Sequence, residues 1–245
     1  MPQIIHVAQV TSVLDAVREP EYRETMQDFD SLLADVQTQG RGQYRRAWSS
    51  PAGNIYAALR LPMQPPFVGT EAAVAVSAWL ALGLRNLGYD CRIKWPNDLV
   101  LCQDGAWGKT GGVLLEEREG LLVAGIGINV ASSPSADELR SEAALPAAHL
   151  AACARACGLE EPQCATVWKS LVNCLFSSYS QTNALYEWRS VADALLLWRS
   201  RTVVLTEDGS SVTGELRGLG PKGELILATQ GGTQLFLSGS VRPAF

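Results

Sequence analysis

The first sixty residues contain short apolar runs with the length and periodicity of β-strands. Residues 3–11 alternate between apolar and polar side chains, and residues 31–37 and 54–62 are further short apolar runs. These segments predict strands, because alternation with period two places one face of a strand in a core. Residues 20–28 are charged and predict a helix. Residues 38–54 combine glycines, arginines and a Ser-Pro step, and they predict a loop.

The clearest helix is predicted over residues 70–87. Alanine, valine, tryptophan and leucine fill its apolar face, Thr70 is placed to cap its N-terminus, and Gly88 follows its end. The Asp-Gly pair inside LCQDGAWGK predicts a hairpin further along. Around it, strands are predicted at residues 91–95, 98–102, 110–117 and 121–129.

The C-terminal part of the chain changes from helical to strand-like composition. Residues 137–198 are rich in alanine, leucine and glutamate and predict three helices. Residues 201–243 contain Asp-Gly, Pro-Lys-Gly and Gly-Gly turns between short apolar runs, a pattern that predicts about five strands. Such a set of short strands predicts a small β-barrel attached to the larger unit.

Length and charge limit the classes of function. A chain of 245 residues accommodates one large domain, or one domain of roughly 190 residues plus a small appendage. Hydrophobic residues make up 47% of it and the net charge is −5, which excludes a disordered chain and a global positive field for nucleic acid or anionic membranes. No apolar stretch reaches the roughly 18 residues of a membrane helix, and no basic signal region opens the chain. We therefore expect a cytoplasmic protein.

Six cysteines lie inside apolar segments, without the dense spacing of a secreted disulfide scaffold. Cys153, Cys157 and Cys164 lie close to His149 in the sequence, so a zinc site has to be considered. We favour the alternative that these cysteines are small buried apolar side chains, as free cysteines commonly are.

The loop at residues 38–48 combines flexible glycines, clustered cations and an aromatic ring. Glycines allow a backbone to approach a ligand closely, and arginines with a stacking ring suit a nucleotide phosphate and its base. A solvated basic loop with a core tryptophan is the alternative, and the sequence alone does not decide between them. The residues concerned are Gly40, Arg41, Gly42, Arg45, Arg46 and Trp48.

The segment KWPND, residues 94–98, is a second candidate for chemistry. A strand ends at Lys94, Pro96 forces a turn, and Asn97 and Asp98 then present an amide and a carboxylate. Such a trio can bind phosphate and Mg²⁺, although an ordinary Pro-Asn-Asp turn has the same sequence.

Two glycine-rich segments follow. In GKTGG, residues 108–112, Lys109 can act as a point charge on a carboxylate or phosphoryl oxygen, or it can be a solvated lysine on a hairpin turn. In GIGINV, residues 125–130, glycines inside an apolar strand indicate close backbone approach, and the Asn129 amide can read an adenine edge.

In the order QTQGRGQYRRAW, KWPND, GKTGG, GIGINV, these motifs closely resemble the biotin protein ligase family, the biotin–[acetyl-CoA carboxylase] ligases. The resemblance runs from about residue 4 to the end of the chain. It implies an α/β (α+β) fold, in which a catalytic domain over residues 1–198 has a mixed sheet backed by helices. Residues 199–245 would then form an SH3-like β-barrel. It also implies the monofunctional type, without the DNA-binding domain of the longer members.

The implied activity has two steps. Biotin and Mg·ATP give biotinyl-5′-AMP and pyrophosphate, and a lysine of a biotin carboxyl carrier domain then takes the biotinyl group. The implied partner is the carrier domain of acetyl-CoA carboxylase or of a related carboxylase. No nucleic acid or membrane is implied, and family members are monomers or homodimers.

The resemblance also assigns roles to residues. Lys109 would hold the biotin carboxylate and the α-phosphate, Lys94 would neutralise phosphate charge, and both are implied to be catalytic together with Arg41. Trp48 would lie against adenine and Asp98 near Mg²⁺. The implied biotin-binding residues are Ser12, Gln37, Gly40, Arg41 and Lys109, and the implied ATP-binding residues are Arg46, Trp48, Asn97, Asp98, Asn129 and Arg242.

Two departures from the family pattern stand out. Where the family has GRGRxGR, Gln43 replaces an arginine and Arg45 replaces a glycine. Where it has D-S-T-N, only Ser12 keeps a hydroxyl, and Val13 and Leu14 cannot form hydrogen bonds to biotin. Two alternatives therefore stay open, a lipoate- or octanoyl-type acyl transfer enzyme and a non-catalytic relative that binds biotin or nucleotide.

Overall fold

The described residues form two β-sheets and six helices. The structure, a computed structural model, describes residues 1–43, 46–135, 137, 145–181 and 184–244. The first sheet contains β1 (Ile4–Val10), β2 (Ser31–Gln37), β3 (Ile55–Leu61), β4 (Cys91–Lys94), β5 (Asp98–Gln103), β6 (Ala106–Arg118) and β7 (Leu121–Ile128). The second contains β8 (Thr202–Glu207), β9 (Ser210–Leu219), β10 (Leu225–Thr229), β11 (Gly232–Phe236) and β12 (Ser240–Pro243). The helices are α1 (Val13–Ala16), α2 (Pro20–Arg23), α3 (Ala72–Asn86), α4 (Leu150–Cys157), α5 (Cys164–Tyr179) and α6 (Ala184–Leu195).

The seven-stranded sheet is mixed. Its strand order is β1-β2-β3-β7-β6-β5-β4. β1 and β2 are parallel, and every other neighbouring pair is antiparallel. The predicted α/β fold with a mixed sheet is therefore confirmed, and the strand positions follow the apolar runs closely.

Helices cover both faces of this sheet, but unequally. α3, α5 and α6 pack on one face, where α3 is buried on nearly all sides because it lies between the sheet and the other two helices. On the opposite face, α1 packs on β2, β3 and β7, and a cleft opens beside it.

The C-terminal strands form an antiparallel sheet in the order β11-β10-β9-β8-β12. β11 and β12 are its two edges, and the described residues show no pairing between them. The predicted small five-stranded unit is therefore present, but in the described residues its sheet is open and does not close into a barrel. Its strand number and turns agree with the sequence pattern, since Gly209, Gly223 and Gly232 all adopt positive φ in the turns.

One continuous hydrophobic core joins the two sheets. Buried side chains of the C-terminal sheet, such as Leu205 and Leu227, belong to the same cluster as Trp79 of α3 and Leu99 of β5. The Nε1 atom of Trp95 also donates a hydrogen bond of 2.8 Å to the carbonyl oxygen of Gly223. A domain division after residue 198 stays a prediction.

Two local expectations were wrong. Helix α3 begins at Ala72 and its N-cap is Glu71, so Thr70 does not cap it. The Thr70 hydroxyl instead donates to the carbonyl oxygen of Lys222, a tertiary contact that sequence periodicity does not reveal. The helix predicted over residues 20–28 extends only over Pro20–Arg23. Within the described part of the chain, every helix is too short or too polar to cross a membrane.

Candidate functional site

A cleft of about 790 Å³ lies on the open face of the seven-stranded sheet and reaches the C-terminal sheet. It brings together residues from each of the four sequence motifs and from the segment after β1. Such a concave site with convergent polar groups is where ligands bind in most proteins. The predicted site residues that line it are Ser12, Gln37, Arg41, Arg46, Trp48, Lys94, Asn97, Asp98, Lys109 and Asn129.

The floor of the cleft is one row of residues across four strands. Lys94 of β4 lies opposite Asp98 of β5, which lies opposite Gly112 of β6, which in turn lies opposite Gly127 of β7. Directly opposite residues in an antiparallel sheet share a face. The row therefore presents two charged side chains at one end and a bare glycine surface beside them.

A β-bulge adds Lys109 to this row. Val100 pairs with Lys109 and Leu99 pairs with Gly111, so Thr110 is an extra residue in β6. Without the bulge, residues 109 and 112 would point to opposite faces of the sheet. With it, the Cε atom of Lys109 lies 3.8 Å from the position that a Cβ atom on Gly112 would take. Lys109 is thus part of a strand, and the alternative of a solvated lysine on a turn is wrong.

Asp98 holds both lysine ammonium groups. Its Oδ1 atom lies 2.5 Å from Nζ of Lys109, and its Oδ2 atom lies 3.4 Å from Nζ of Lys94. The side chain of Lys94 is only 9% exposed, whereas that of Lys109 is 37% exposed. Lys94 therefore supplies a fixed charge within the wall, and Lys109 is the cation that can reach a ligand.

Trp48 packs against the glycine floor. A Cβ atom on Gly127 would be 2.6 Å from the indole, and one on Gly112 would be 3.7 Å from it. The close approach that the glycines of GIGINV predicted is therefore made by Trp48. Nζ of Lys109 lies 5.6 Å from the centre of the ring, within range of a cation–π interaction. The indole Nε1 atom is buried without a hydrogen-bond partner.

The two asparagines hold backbone segments around the cleft. Nδ2 of Asn97 donates to the carbonyl oxygen of Val113 at 2.7 Å, and Nδ2 of Asn129 donates to that of Ala148 at 3.1 Å. The backbone N–H of Asn129 also bonds to the bulged Thr110. Both amides line the cleft, but each already uses one N–H in a hydrogen bond to the backbone of the cleft wall.

The opposite end of the cleft is largely apolar. Val13 and Leu14 line it and are almost fully buried, and three carbon atoms of Leu14 lie 2.9 Å from the Cβ position of Gly125. The hydroxyl of Ser12 is buried there without a hydrogen-bond partner. The Gln37 amide accepts from Val13 N–H at 2.9 Å and donates to the hydroxyl of Ser50 at 3.0 Å. A buried hydroxyl with no partner is costly unless a ligand satisfies it.

Two predicted site residues do not line the cleft. Gly40 lies behind it, where a Cβ atom would be 2.6 Å from the hydroxyl of Ser50, so its role is to allow the loop to pack closely. Arg242 is exposed on β12, opposite Val204. Arg45 lies outside the described residues.

Arg41 is held by carboxylates beside the cleft. Its two terminal nitrogens lie 2.5 and 2.9 Å from the two carboxylate oxygens of Asp15, and one of them lies 3.5 Å from Glu116. The guanidinium holds the pKa of Asp15 below its usual value, and the carboxylates raise the pKa of Arg41. Because the pKa of Asp15 is lowered in the folded state, the pair stabilises the fold above the usual carboxyl pKa, and this contribution is lost as the pH falls through the lowered value.

Sequence reasoning missed several residues in the cleft and beside it. Asp15 and Glu116 are far from Arg41 in the chain, and no local motif connects them. The contribution of the C-terminal sheet was also missed, because the Asp-Gly step after Glu207 indicated only a hairpin turn. The cleft-lining residues from that sheet are Thr206, Glu207, Asp208, Ser238, Gly239 and Ser240.

Structural comparison supports the fold. A biotin protein ligase from Aquifex aeolicus, solved in complex with biotin and ATP, superposes with a TM-score of 0.80 at 24% identity, and the match covers 100% of both chains. A biotin protein ligase from Leishmania major, in complex with biotin, gives a TM-score of 0.70 at 21% identity, again over 100% of both chains. At these identities the likeness shows the fold.

Sequence comparison identifies the family. A biotin–[acetyl-CoA-carboxylase] ligase from Paracoccus denitrificans is 38% identical over 127 residues, which is 47% of this chain and 50% of that relative. The bifunctional ligase/repressor BirA of Escherichia coli is 39% identical over 111 residues, which is 42% of this chain and 33% of that protein. The matched region thus spans half the length of these curated relatives, or less. The model of the biotin/lipoate A/B protein ligase family matches residues 10–133, half of the chain, and the chain therefore belongs to that family.

Proposed function

We propose that this protein is a biotin–[biotin carboxyl-carrier protein] ligase, which forms biotinyl-5′-AMP from biotin and ATP and transfers the biotinyl group to a lysine. Family membership and the curated relatives support this activity. The observation that carries it is the position of Lys109, which a bulge directs into the cleft and Asp98 holds there. An ammonium group fixed in a cleft suits a reaction between two anions.

In the first step, a carboxylate oxygen of biotin attacks the α-phosphorus of ATP, and the bond to pyrophosphate breaks. Both reactants are anions, so they repel each other until cations lie between them. Lys109 is placed to contact the carboxylate and an α-phosphate oxygen together, and its contact strengthens as charge builds on the phosphorus. Lys94 and Arg46 line the same cleft and would offset the charge of the remaining phosphates.

Mg²⁺ fits this site as part of the nucleotide substrate. Asp98 is a single carboxylate, and in the described part of the chain no three His, Cys, Asp or Glu side chains form a metal-binding group. Mg²⁺ commonly binds one or two carboxylates, several waters and the phosphates of a nucleotide. Asp98 would supply the protein ligand, and the ion would supply further charge neutralisation.

In the second step, the amine of a carrier-domain lysine attacks the acyl carbonyl, and AMP leaves. The protein's task here is to keep the mixed anhydride away from water until the amine arrives. The proposed partner is the carrier domain of acetyl-CoA carboxylase or of a related carboxylase. We also propose a cytoplasmic location, which the six free cysteines support.

Mass spectrometry of a purified carrier domain tests this function. After incubation with the protein, biotin and Mg·ATP, we expect the carrier domain to gain one biotinyl group. A carrier domain with its target lysine changed to arginine should gain none, and omission of ATP should also abolish the gain. An unmodified carrier domain, in a reaction that releases no pyrophosphate, would contradict the proposal.

The apolar end of the cleft favours a second candidate. Val13 and Leu14 give that end of the cleft an apolar lining, which suits a lipoyl or octanoyl tail better than a ureido ring that needs several hydrogen-bond partners. The buried Ser12 hydroxyl, which has no partner there, favours the ureido ring instead. The same experiment with lipoate or octanoate and a lipoyl carrier domain distinguishes the candidates. If only the lipoyl domain is modified, the substrate is lipoate or octanoate and not biotin.

Gln43 lines the cleft where the family pattern has an arginine. A cation at this position would form charge-assisted bonds to the phosphate of the intermediate. We therefore expect Gln43→Arg to slow the release of biotinyl-AMP about tenfold and to reduce biotinylation of bystander proteins. A chase with unlabelled biotin and ATP measures the release rate. Equal rates for Gln43→Arg and the wild type would show that other groups already hold the phosphate.

A further inference from the structure

The loop of residues 38–48, here called the arginine loop, has a contact that the proposed chemistry does not use. This contact is the ion pair between Arg41 of the loop and Asp15, next to the residues of α1 that line the cleft. We propose that Asp15 is a positioning residue, which holds the arginine loop against the cleft through Arg41 and so retains the acyl-adenylate. The retention half of this inference rests on the proposed function, whereas the holding of the loop does not.

The Asp15–Arg41 ion pair, here called the clamp, has the geometry to fix the arginine loop in place. Both terminal nitrogens of Arg41 face both carboxylate oxygens of Asp15, at 2.5 and 2.9 Å. Two parallel charge-assisted hydrogen bonds fix the orientation of a guanidinium as well as its distance. The Arg41 side chain is 33% exposed and that of Asp15 is 48% exposed, so solvent reaches the pair while neighbouring residues cover more than half of each side chain.

A second carboxylate extends the clamp to the sheet. Glu116 of β6 lies 3.5 Å from Arg41 and 3.1 Å from Arg18, which follows α1. The Arg18 side chain is only 11% exposed, and it also donates to the carbonyl oxygen of Leu14. Two cations and two carboxylates therefore connect the loop, the α1 segment and β6 in one network.

The clamp acts at the part of the loop that the backbone does not fix. Backbone hydrogen bonds from Thr38 and Gln39 to Val10 and Thr11 hold only the base of the loop. Beyond the base, the loop folds back on itself, since Gly42 N–H donates to Arg46 at 2.7 Å. Without Asp15, the backbone bond between Gly42 and Arg46 would remain, but Arg41 would lose its paired contact with α1.

The position of Asp15 explains how the clamp would affect the ligand. Asp15 lies one helical turn after Ser12, whose unpartnered hydroxyl lines the apolar end of the cleft. Arg41 and Gln43 line the cleft from the loop side. The Asp15–Arg41 pair therefore holds α1 and the arginine loop together at the same end of the cleft. The loop can open, and the intermediate can leave past it, only when this pair breaks.

Limited trypsin digestion of the full, ligand-free chain tests the holding of the loop. Trypsin cleaves after arginine, and the sequence of the arginine loop offers three such sites, at Arg41, Arg45 and Arg46. We expect Asp15→Asn to increase cleavage at these sites about tenfold, because opening of the loop precedes cleavage. The matched control is Asp35→Asn, which removes a carboxylate from an exposed pair with His6 outside the cleft and should leave cleavage unchanged. Arg41→Lys keeps the charge but not the paired bonds, and it should give an intermediate rate.

The release rate of biotinyl-AMP tests the retention of the intermediate. Asp15→Asn should raise this rate about tenfold, with a smaller change in the rate of pyrophosphate formation, because Asp15 itself is not among the residues that line the cleft. If trypsin cleaves Asp15→Asn at the wild-type rate, the proposal is wrong. If cleavage is faster but the release rate of biotinyl-AMP is unchanged, Asp15 holds the loop but does not retain the intermediate. If neither protein forms an adenylate, the proposed function fails, but the digestion still decides the clamp. If Asp15→Asn does not fold, Asp15→Glu, which keeps the charge but moves the carboxylate, is compared with the wild type in both assays under the same criteria.

Discussion

Replacing Lys109 with alanine is expected to lower biotin-dependent pyrophosphate release by about 10²- to 10³-fold. The ammonium group lies in the cleft between Asp98 and the ring of Trp48. One charge-assisted contact that strengthens in the transition state accounts for a loss of this size. Folding should change little, since the side chain is more than a third exposed. A coupled pyrophosphate assay and a thermal melt measure the two quantities.

Lys169→Ala is the matched control, because this exposed lysine lies on α5, across the sheet from the cleft. It should leave pyrophosphate release unchanged. A rate for Lys109→Ala within tenfold of the wild type would remove Lys109 from the mechanism.

Replacing Asp98 with asparagine is expected to reduce both activity and stability. The ammonium of Lys94, nine-tenths buried, would then face Lys109 without the carboxylate that both now share. Breaking a buried pair costs about 3–5 kcal/mol, and the exposure of Lys109 reduces the expected loss to about 2–3 kcal/mol. We expect kcat/KM to fall about 100-fold, because Lys109 loses the group that positions it. Urea denaturation and a titration with Mg²⁺ measure these effects.

Two further variants make this result specific. Asp104→Asn changes an exposed aspartate in the β5–β6 turn and should match the wild type in stability and rate. The double variant Lys94→Met/Asp98→Asn removes the buried cation together with its carboxylate and should regain most of the lost stability, but not the activity. Wild-type stability in the single variant Asp98→Asn would show that the pair does not hold the cleft wall.

Local patterns predicted the elements of the fold better than their arrangement. Apolar runs located β2 over Ser31–Gln37 and the hairpin between β5 and β6, because these depend on neighbouring residues alone. The strand order and the open C-terminal sheet depend on contacts between distant segments, which a single sequence does not reveal. Thr70 illustrates the difference, since a contact with Lys222 replaced its expected role as a cap.

The same distinction holds in the site. The motifs identified Lys94, Asp98 and Lys109 as candidates, and all three line one cleft. The sequence did not predict how Lys109 reaches that cleft, because the bulge is defined by the pairing of β6 with β5. It also did not predict Asp15, whose partner lies beyond the next strand.

The shared core has a consequence for how the molecule unfolds. Trp95 begins the turn that leads to Asp98 of β5, and its indole donates a hydrogen bond to Gly223 in the turn between β9 and β10. Because buried side chains of both sheets pack in one cluster, neither sheet can melt without exposing apolar surface of the other. We therefore expect the C-terminal strands and the cleft to be lost in a single cooperative transition, with no populated form that keeps one sheet without the other.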